Sequence, residues 1–259
     1  MIKIQMLEKK GSKLRFIAEG ITPAFANALR RIMISEIPVL AVERIEMREN
    51  NSILFDEVIT HRLALIPLKF EPGKLNMPDD CKCEGKGCPL CQVAFSLEKN
   101  GPGIAYSGDM VSSDKSISPT DPNFPVVELL KNHYIKLDAI AQLGTGKQHA
   151  KFQAANASYQ YYPEMDADKC DNPSKVVEAC PKGAVGVKGN KPFIKNPEGC
   201  DMCRSCEEVC DSLKIEGNPN KFIFNVESIS GLEPEYIVGA AAAMLREKGE
   251  EFKKQLAKI

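Results

Sequence analysis

Ten cysteines carry most of the chemistry legible in this chain, four between positions 81 and 91 and six between 170 and 210. Disulfides that brace a whole fold are spread along it, whereas tight groups of thiols in a reducing compartment are the pattern of metal sites. In the second group, Cys200-x2-Cys203-x2-Cys206-x3-Cys210 has the ligand spacing of bacterial ferredoxins.

The same offsets run backward from Cys180-Pro181 reach Val176, Pro173 and Cys170. The block is therefore a degenerate duplicate, complete in its second copy and reduced to two cysteines in its first. In two-cluster ferredoxins each cube takes its fourth thiolate from the other copy. Cys200, Cys203 and Cys206 with Cys180 thus make a ligand set for one [4Fe-4S] cluster, or for a [3Fe-4S] form if one thiolate, first of all Cys180, is lost. The second site keeps Cys170 and Cys210 but has Pro173 and Val176 where thiolates would be, so it cannot hold a cube. Cys170 and Cys210 are then neighbours, as a redox-labile disulfide or as two thiols. Asp211 stands where a Pro usually follows the fourth cysteine. Spacing alone does not separate iron from zinc or from local disulfides.

The first group, Cys81-x-Cys83-x4-Cys88-x2-Cys91, is a short knuckle with Gly85, Gly87 and Pro89 supplying its turns. Four soft ligands with no open position suit tetrahedral, structural zinc. The alternatives are an unmetallated loop or paired disulfides. Such a metal would hold a loop that has little core of its own.

No catalytic constellation accompanies these groups. His61, His133 and His149 are far apart, and ordinary structural roles are expected for all three. Gly144-Thr145-Gly146-Lys147 resembles a phosphate loop, but Ala141 and His149 occupy positions where the known fingerprints need Gly, so a turn is expected.

The elements that must carry the cysteines follow from patterning. Ile2, Ile4 and Met6 alternate before a Lys10-Gly11-Ser12 turn, and Leu14, Phe16 and Ala18 after it, as in a hairpin. Thr22 and Pro23 open a helix with Phe25, Ala28, Leu29 and Ile32 at helical spacing, and Pro38 stops it. Val42, Ile45 and Met47 form a returning strand. Further strands are expected at 66–70, 93–97, 134–139 and 222–226. Pro234 begins a long helix with Ile237, Ala241, Met244, Leu245, Phe252 and Leu256 along one side. With 259 residues, 43% of them hydrophobic, the chain can bury a core and is expected to form about two domains. The 34 basic and 35 acidic residues leave a net charge of −1, which argues against a DNA-binding sheath or a polybasic membrane anchor. A cytoplasmic protein without a membrane span or secretory leader is expected.

Residues 25–38, FANALRRIMISEIP, closely resemble the signature helix of the α-type subunits of RNA polymerase. Residues 56–68, DEVITHRLALIPL, resemble the stretch that follows in archaeal and eukaryotic members. Residues 144–152, GTGKQHAKF, and the end from Phe222 to Leu256 are similar to further family motifs. A ferredoxin-like insert within that frame points to the archaeal branch, similar to the third-largest subunit of eukaryotic RNA polymerase II and to the bacterial α N-terminal domain. The resemblance implies an α+β fold with a discontinuous dimerisation domain at 1–48 and 218–259. It also implies a mainly-β insert at 49–162 with the loop 81–91, and a ferredoxin-like iron-sulfur insert at 163–217. The knuckle matches the eukaryotic zinc loop except for one extra residue between its second and third cysteines.

The implied function is assembly of a DNA-directed RNA polymerase, with no catalysis by this chain itself. It would form a heterodimer with the small α-like subunit L, then recruit subunits N and P and the second-largest subunit, without binding DNA directly. Phe25, Leu29, Ile32, Ile237, Met244 and Leu245 are the expected dimer interface, and Ile34, Ile37 and Val39 extend that apolar surface. Arg30 and Arg31 are expected to contact a large subunit. The competing reading is a ferredoxin-like electron carrier or redox sensor, disfavoured because the cluster block is about 55 residues on a frame of about 200 and has lost half its cluster capacity.

Overall fold

The computed structural model describes residues 1–167 and 170–258; Asp168, Lys169 and Ile259 lie outside it. Strands β1 (Lys3–Lys10) and β2 (Lys13–Glu19) form the expected hairpin. Helix α1 (Pro23–Ser35) begins where the Thr22 hydroxyl accepts the Phe25 N–H at 3.3 Å, and Pro38 prevents its continuation. Then follow β3 (Val39–Asn50), α2 (Asp56–Ala64), β4 (Leu68–Lys69), β5 (Gln92–Asn100) and β6 (Gly103–Tyr106). Next come β7 (Val111–Ser112), β8 (Ser118–Pro119), β9 (Pro125–Leu129) and β10 (Tyr134–Gly144). The chain continues with β11 (Ala155–Ala167), α3 (Pro173–Glu178), β12 (Val185–Lys188) and β13 (Lys191–Ile194). It finishes with β14 (Leu213–Ser228) and α4 (Pro234–Leu256). The fold is mixed α and β, with most elements in sheets.

Two compact units result, one from Met1–Arg30 and Ser158–Asn225, the other from Arg31–Ala157 and Val226–Ile259. In the first, the sheet order is β1-β2-β14-β11. Alternation on β2 turns Leu14, Phe16 and Ala18 inward, and the Phe16 ring stacks on Phe224 with centroids 5.0 Å apart. Phe222 and Tyr159 extend this aromatic layer edge to face. Strand β1 lies at the sheet's edge and shows no alternation of burial: Ile4 and Met6 on it, and Ile2 just before it, are more than half exposed.

In the second unit, β3-β10-β5-β7 make an antiparallel sheet whose apolar face is covered by Ile59 and Leu63 of α2. The alternation of Ile135, Leu137, Ala139 and Ala141 on β10 accounts for the buried face of its central strand. Gly144 to His149 form the expected turn. A side chain at Gly146 would bring its Cβ within 2.6 Å of the Ile34 carbonyl oxygen, which is why glycine stands there. No helix among the described residues is long and apolar enough to cross a membrane.

Candidate metal centres and partner surfaces

The loop between β4 and β5 gathers Cys81, Cys83, Cys88 and Cys91, all four sulfurs lying within 4.8 Å of one another. Cys81 meets Cys88 at 3.5 Å, Cys83 meets Cys91 at 3.5 Å, and Cys88 meets Cys91 at 3.8 Å. The backbone makes this possible: Glu84, Gly85 and Gly87 take positive φ, so the chain doubles back within seven residues of Cys81. Desolvation opposes ionisation of Cys83, but hydrogen bonds from the Cys81 thiol and from the Gly87 backbone bring its thiol down to about 7. Desolvation pushes Cys91 up to about 12. Four thiols so close cannot all ionise in the absence of a cation, and one already sheds its proton readily while another resists. The group could hold a metal ion, and soft sulfur donors select for zinc or another thiophilic metal.

In the other unit, the cysteine block is organised by α3, the β12–β13 hairpin and the loop leading into β14. Cys200 and Cys206 are buried, Cys180 is half-buried and Cys203 is exposed. Burial pushes the Cys200 thiol up; the Met202 N–H opposes this, and the charges of Cys180, Asp201 and Cys203 add to it. Cys206 is raised in the same way, by burial and then by Cys180, Cys200 and Cys203. Cys180, 20 residues before Cys200 in sequence, comes within electrostatic reach of Cys200 and Cys206. Met202 and Arg204, neither a glycine, sit at φ 55° and 64° inside the Cys200–Cys206 loop. Left-handed backbone at such residues is strain that persists where the surroundings over-determine it, commonly at functional sites. The donor set and the tight loop suit a thiolate-bound cluster.

The first copy is filled with protein instead. Cys170 and Cys210 are joined by a disulfide with Cα atoms 5.9 Å apart, and Val176 and Pro173 are buried in the same apolar cluster or beside it.

The residues expected to meet a partner are divided by the structure. Leu29, Ile32 and Ile237 are 6%, 3% and 0% exposed, so they belong to the chain's own core and not to a free interface; the same holds for Ile37 and Val39. Phe25 is exposed, and Met244 and Leu245 are half-exposed. Arg30 is tethered to Asn27 through two guanidinium hydrogen bonds of 3.3 and 2.9 Å, while Arg31 is exposed.

Helix α4 carries two apolar rows where the sequence suggested one. Ile237 and Ala241 face inward, and one turn after Met244 on that row Lys248 reaches Glu36. Val238, Ala242, Leu245, Gly249, Phe252 and Leu256 form a second row, spaced by alternating fours and threes as in a coiled-coil seam. Every residue from Arg246 to Lys258 is exposed, with Phe252 at 67% and Leu256 at 54%. The heptad spacing was readable in sequence, but the stronger Ile237-Ala241-Met244 row next to it masked it. Beside the start of this row, Pro38, Tyr236, Ala240, Ala243 and Met244 line an apolar groove.

A family model described as the RNA polymerase Rpb3/RpoA insert domain matches residues 44–167. The chain is 39% identical to the DNA-directed RNA polymerase subunit Rpo3 of Archaeoglobus fulgidus, over 100% of this chain and 99% of that protein. It is 39% identical to the Rpo3 of Methanothermobacter thermautotrophicus over 96% of each, and 36% identical to that of Pyrococcus furiosus over 100% and 98%. Similarity to polymerase subunits that runs through the cysteine block leaves the electron-carrier reading without support. The resemblance first carried by residues 25–38 therefore holds from end to end, and the chain belongs to the archaeal Rpo3 family of DNA-directed RNA polymerase subunits.

Proposed function

We propose that this chain is a non-catalytic assembly subunit that pairs with a small α-like subunit of the L type. The pair then offers a platform to subunits N and P and the second-largest subunit, in the cytoplasm. The observation that carries the reading is the second row of α4, whose Phe252 and Leu256 project from a helical stretch that the chain itself leaves uncovered. An exposed heptad seam is completed by another helix, and permanent interfaces resemble a core divided between two chains. Phe25 and the groove at Tyr236 and Met244 supply further apolar surface. The dimerisation part comprises 1–48 and 218–259, with inserts at 49–162 and 163–217. Arg31 is the better placed of the two arginines to meet a large subunit.

Within this platform Cys81, Cys83, Cys88 and Cys91 hold structural zinc. Cys180, Cys200, Cys203 and Cys206 hold one [4Fe-4S] cluster, or a [3Fe-4S] form after loss of a ligand. The cluster would supply iron-thiolate bonds tying the segment at 180 to the loop at 200–206; the chain's own residues provide the thiolates and the strained loop that presents them.

The test is co-expression with the small α-like subunit, followed by mass measurement of the purified complex. The native chain should give a 1:1 heterodimer. Leu245→Asp with Phe252→Asp should weaken pairing by at least about 100-fold while leaving the chain folded, because a charge buried without a partner costs several kcal/mol. A native chain that stays alone, or a double variant that pairs as well as the native one, removes the proposal.

A further inference from the structure

The β12–β13 hairpin carries a surface that the assembly role does not use. Residues 182–195, KGAVGVKGNKPFIK, contain four lysines and no acidic residue, in a chain of net charge −1. The register pairs Lys188 with Lys191 and Gly186 with Phe193. Opposite residues share a face and residues two apart stay on it, so Lys188, Lys191, Phe193 and Lys195 lie on one face of the ribbon. The other face is anchored by Val185 and Pro192, which are buried.

All three lysines are exposed, and none has an ion pair among the described residues. Like charges directly opposite each other destabilise a strand pair, so Lys188 and Lys191 weaken the hairpin they belong to. Phe193 is 40% exposed. Gly186 leaves room for its ring, since a Cβ there would come within 3.1 Å of the ring edge. The arrangement is an aromatic ring framed by unpaired positive charge, with about 7 Å between successive side chains along β13.

We propose that this face binds single-stranded nucleic acid, the ammonium groups of Lys188, Lys191 and Lys195 holding backbone phosphates while the Phe193 ring stacks on a base. An acidic peptide would engage the lysines alone; the exposed ring between Lys191 and Lys195 is the part that a base fills. The overall negative charge does not oppose this, because screening confines each charge's influence to about 10 Å at moderate salt. The inference does not depend on what the four cysteines hold.

The experiment is fluorescence anisotropy of a labelled oligouridine with the full chain, between about 50 and 200 mM salt. The native chain should bind with a salt-dependent Kd. Replacing the three lysines by Gln should reduce affinity and lower the log–log salt slope by about 2, the value for three lost phosphate contacts. Phe193→Ala should weaken binding by about 5- to 150-fold without changing the slope. Phe193→Tyr and the triple Lys→Arg variant should bind like the native chain, which separates lost contacts from lost folding. The proposal is overturned if the native chain does not bind, or if all the variants bind equally. It is also overturned if polyglutamate competes as well as the oligonucleotide and Phe193→Ala has no effect, which would assign the face to acidic polypeptides.

Discussion

Lys147, in the turn after β10, pairs with Glu36 at 3.0 Å, while Lys248 of α4 bonds the other oxygen of the same carboxylate. One acidic side chain therefore ties together the end of α1, the Gly144–His149 turn and the final helix. Its carboxyl is held below the usual range, first by the hydrogen bond to Lys248 and also by Lys147, against the opposing effect of burial. Because the folded state favours the ionised form, the stabilisation is present above the unfolded value of about 4.3 and is lost as pH falls through the lower folded value. Glu36→Gln should cost about 1 kcal/mol at neutral pH, both lysines being substantially exposed, and should flatten the acid limb of stability measured by denaturant titration.

Phe224 is fully buried against Phe16 in the first sheet. Phe224→Ala should destabilise the unit by about 3–5 kcal/mol, the range for emptying a large aromatic site. Urea unfolding followed by circular dichroism would read this. A cost below about 1 kcal/mol would show that the stacked pair does not organise the sheet.

The loop at 81–91 should bind one zinc per chain. Cys91→Ser removes a buried ligand and should abolish metal, and the native chain stripped by chelation should become sensitive to protease within that loop while the β3-β10-β5 sheet stays protected. Metal content by mass spectrometry and mapping of cleavage sites would check both. Full zinc retention in Cys91→Ser would contradict the four-ligand site.

Cys206→Ser should eliminate iron and acid-labile sulfide from protein purified without oxygen. Replacing Cys170 and Cys210 together by Ala should leave both at native levels, since these residues are engaged with each other. Equal iron loss in the two variants would mean that the disulfide pair belongs to the cluster site.

Some of this was readable from spacing alone. The cysteine intervals, the Lys10-Gly11-Ser12 turn, the capping of α1 by Thr22 and the alternation on β10 are local patterns, and local backbone geometry is what neighbouring residues control. Helix α2 is not legible from patterning, because its nine residues carry a weak amphipathic signal that rests on Ile59 and Leu63.

Which apolar residues become core was beyond such patterns. Leu29 and Ile237 look as available to a partner as Phe252 does, and all four β1 and β2 positions Ile4, Met6, Phe16 and Ala18 alternate equally well. By itself the sequence determined the periods, turns and thiol groupings, because those depend on residues close along the chain. The tertiary structure alone decided that Leu29 and Ile237 are covered while Ile4, Phe252 and Leu256 remain bare, and that Cys170 and Cys210 are joined as a disulfide. Burial is a matter of which distant segment arrives on a given face, and a hydrophobic side chain gains the same free energy from whichever segment covers it.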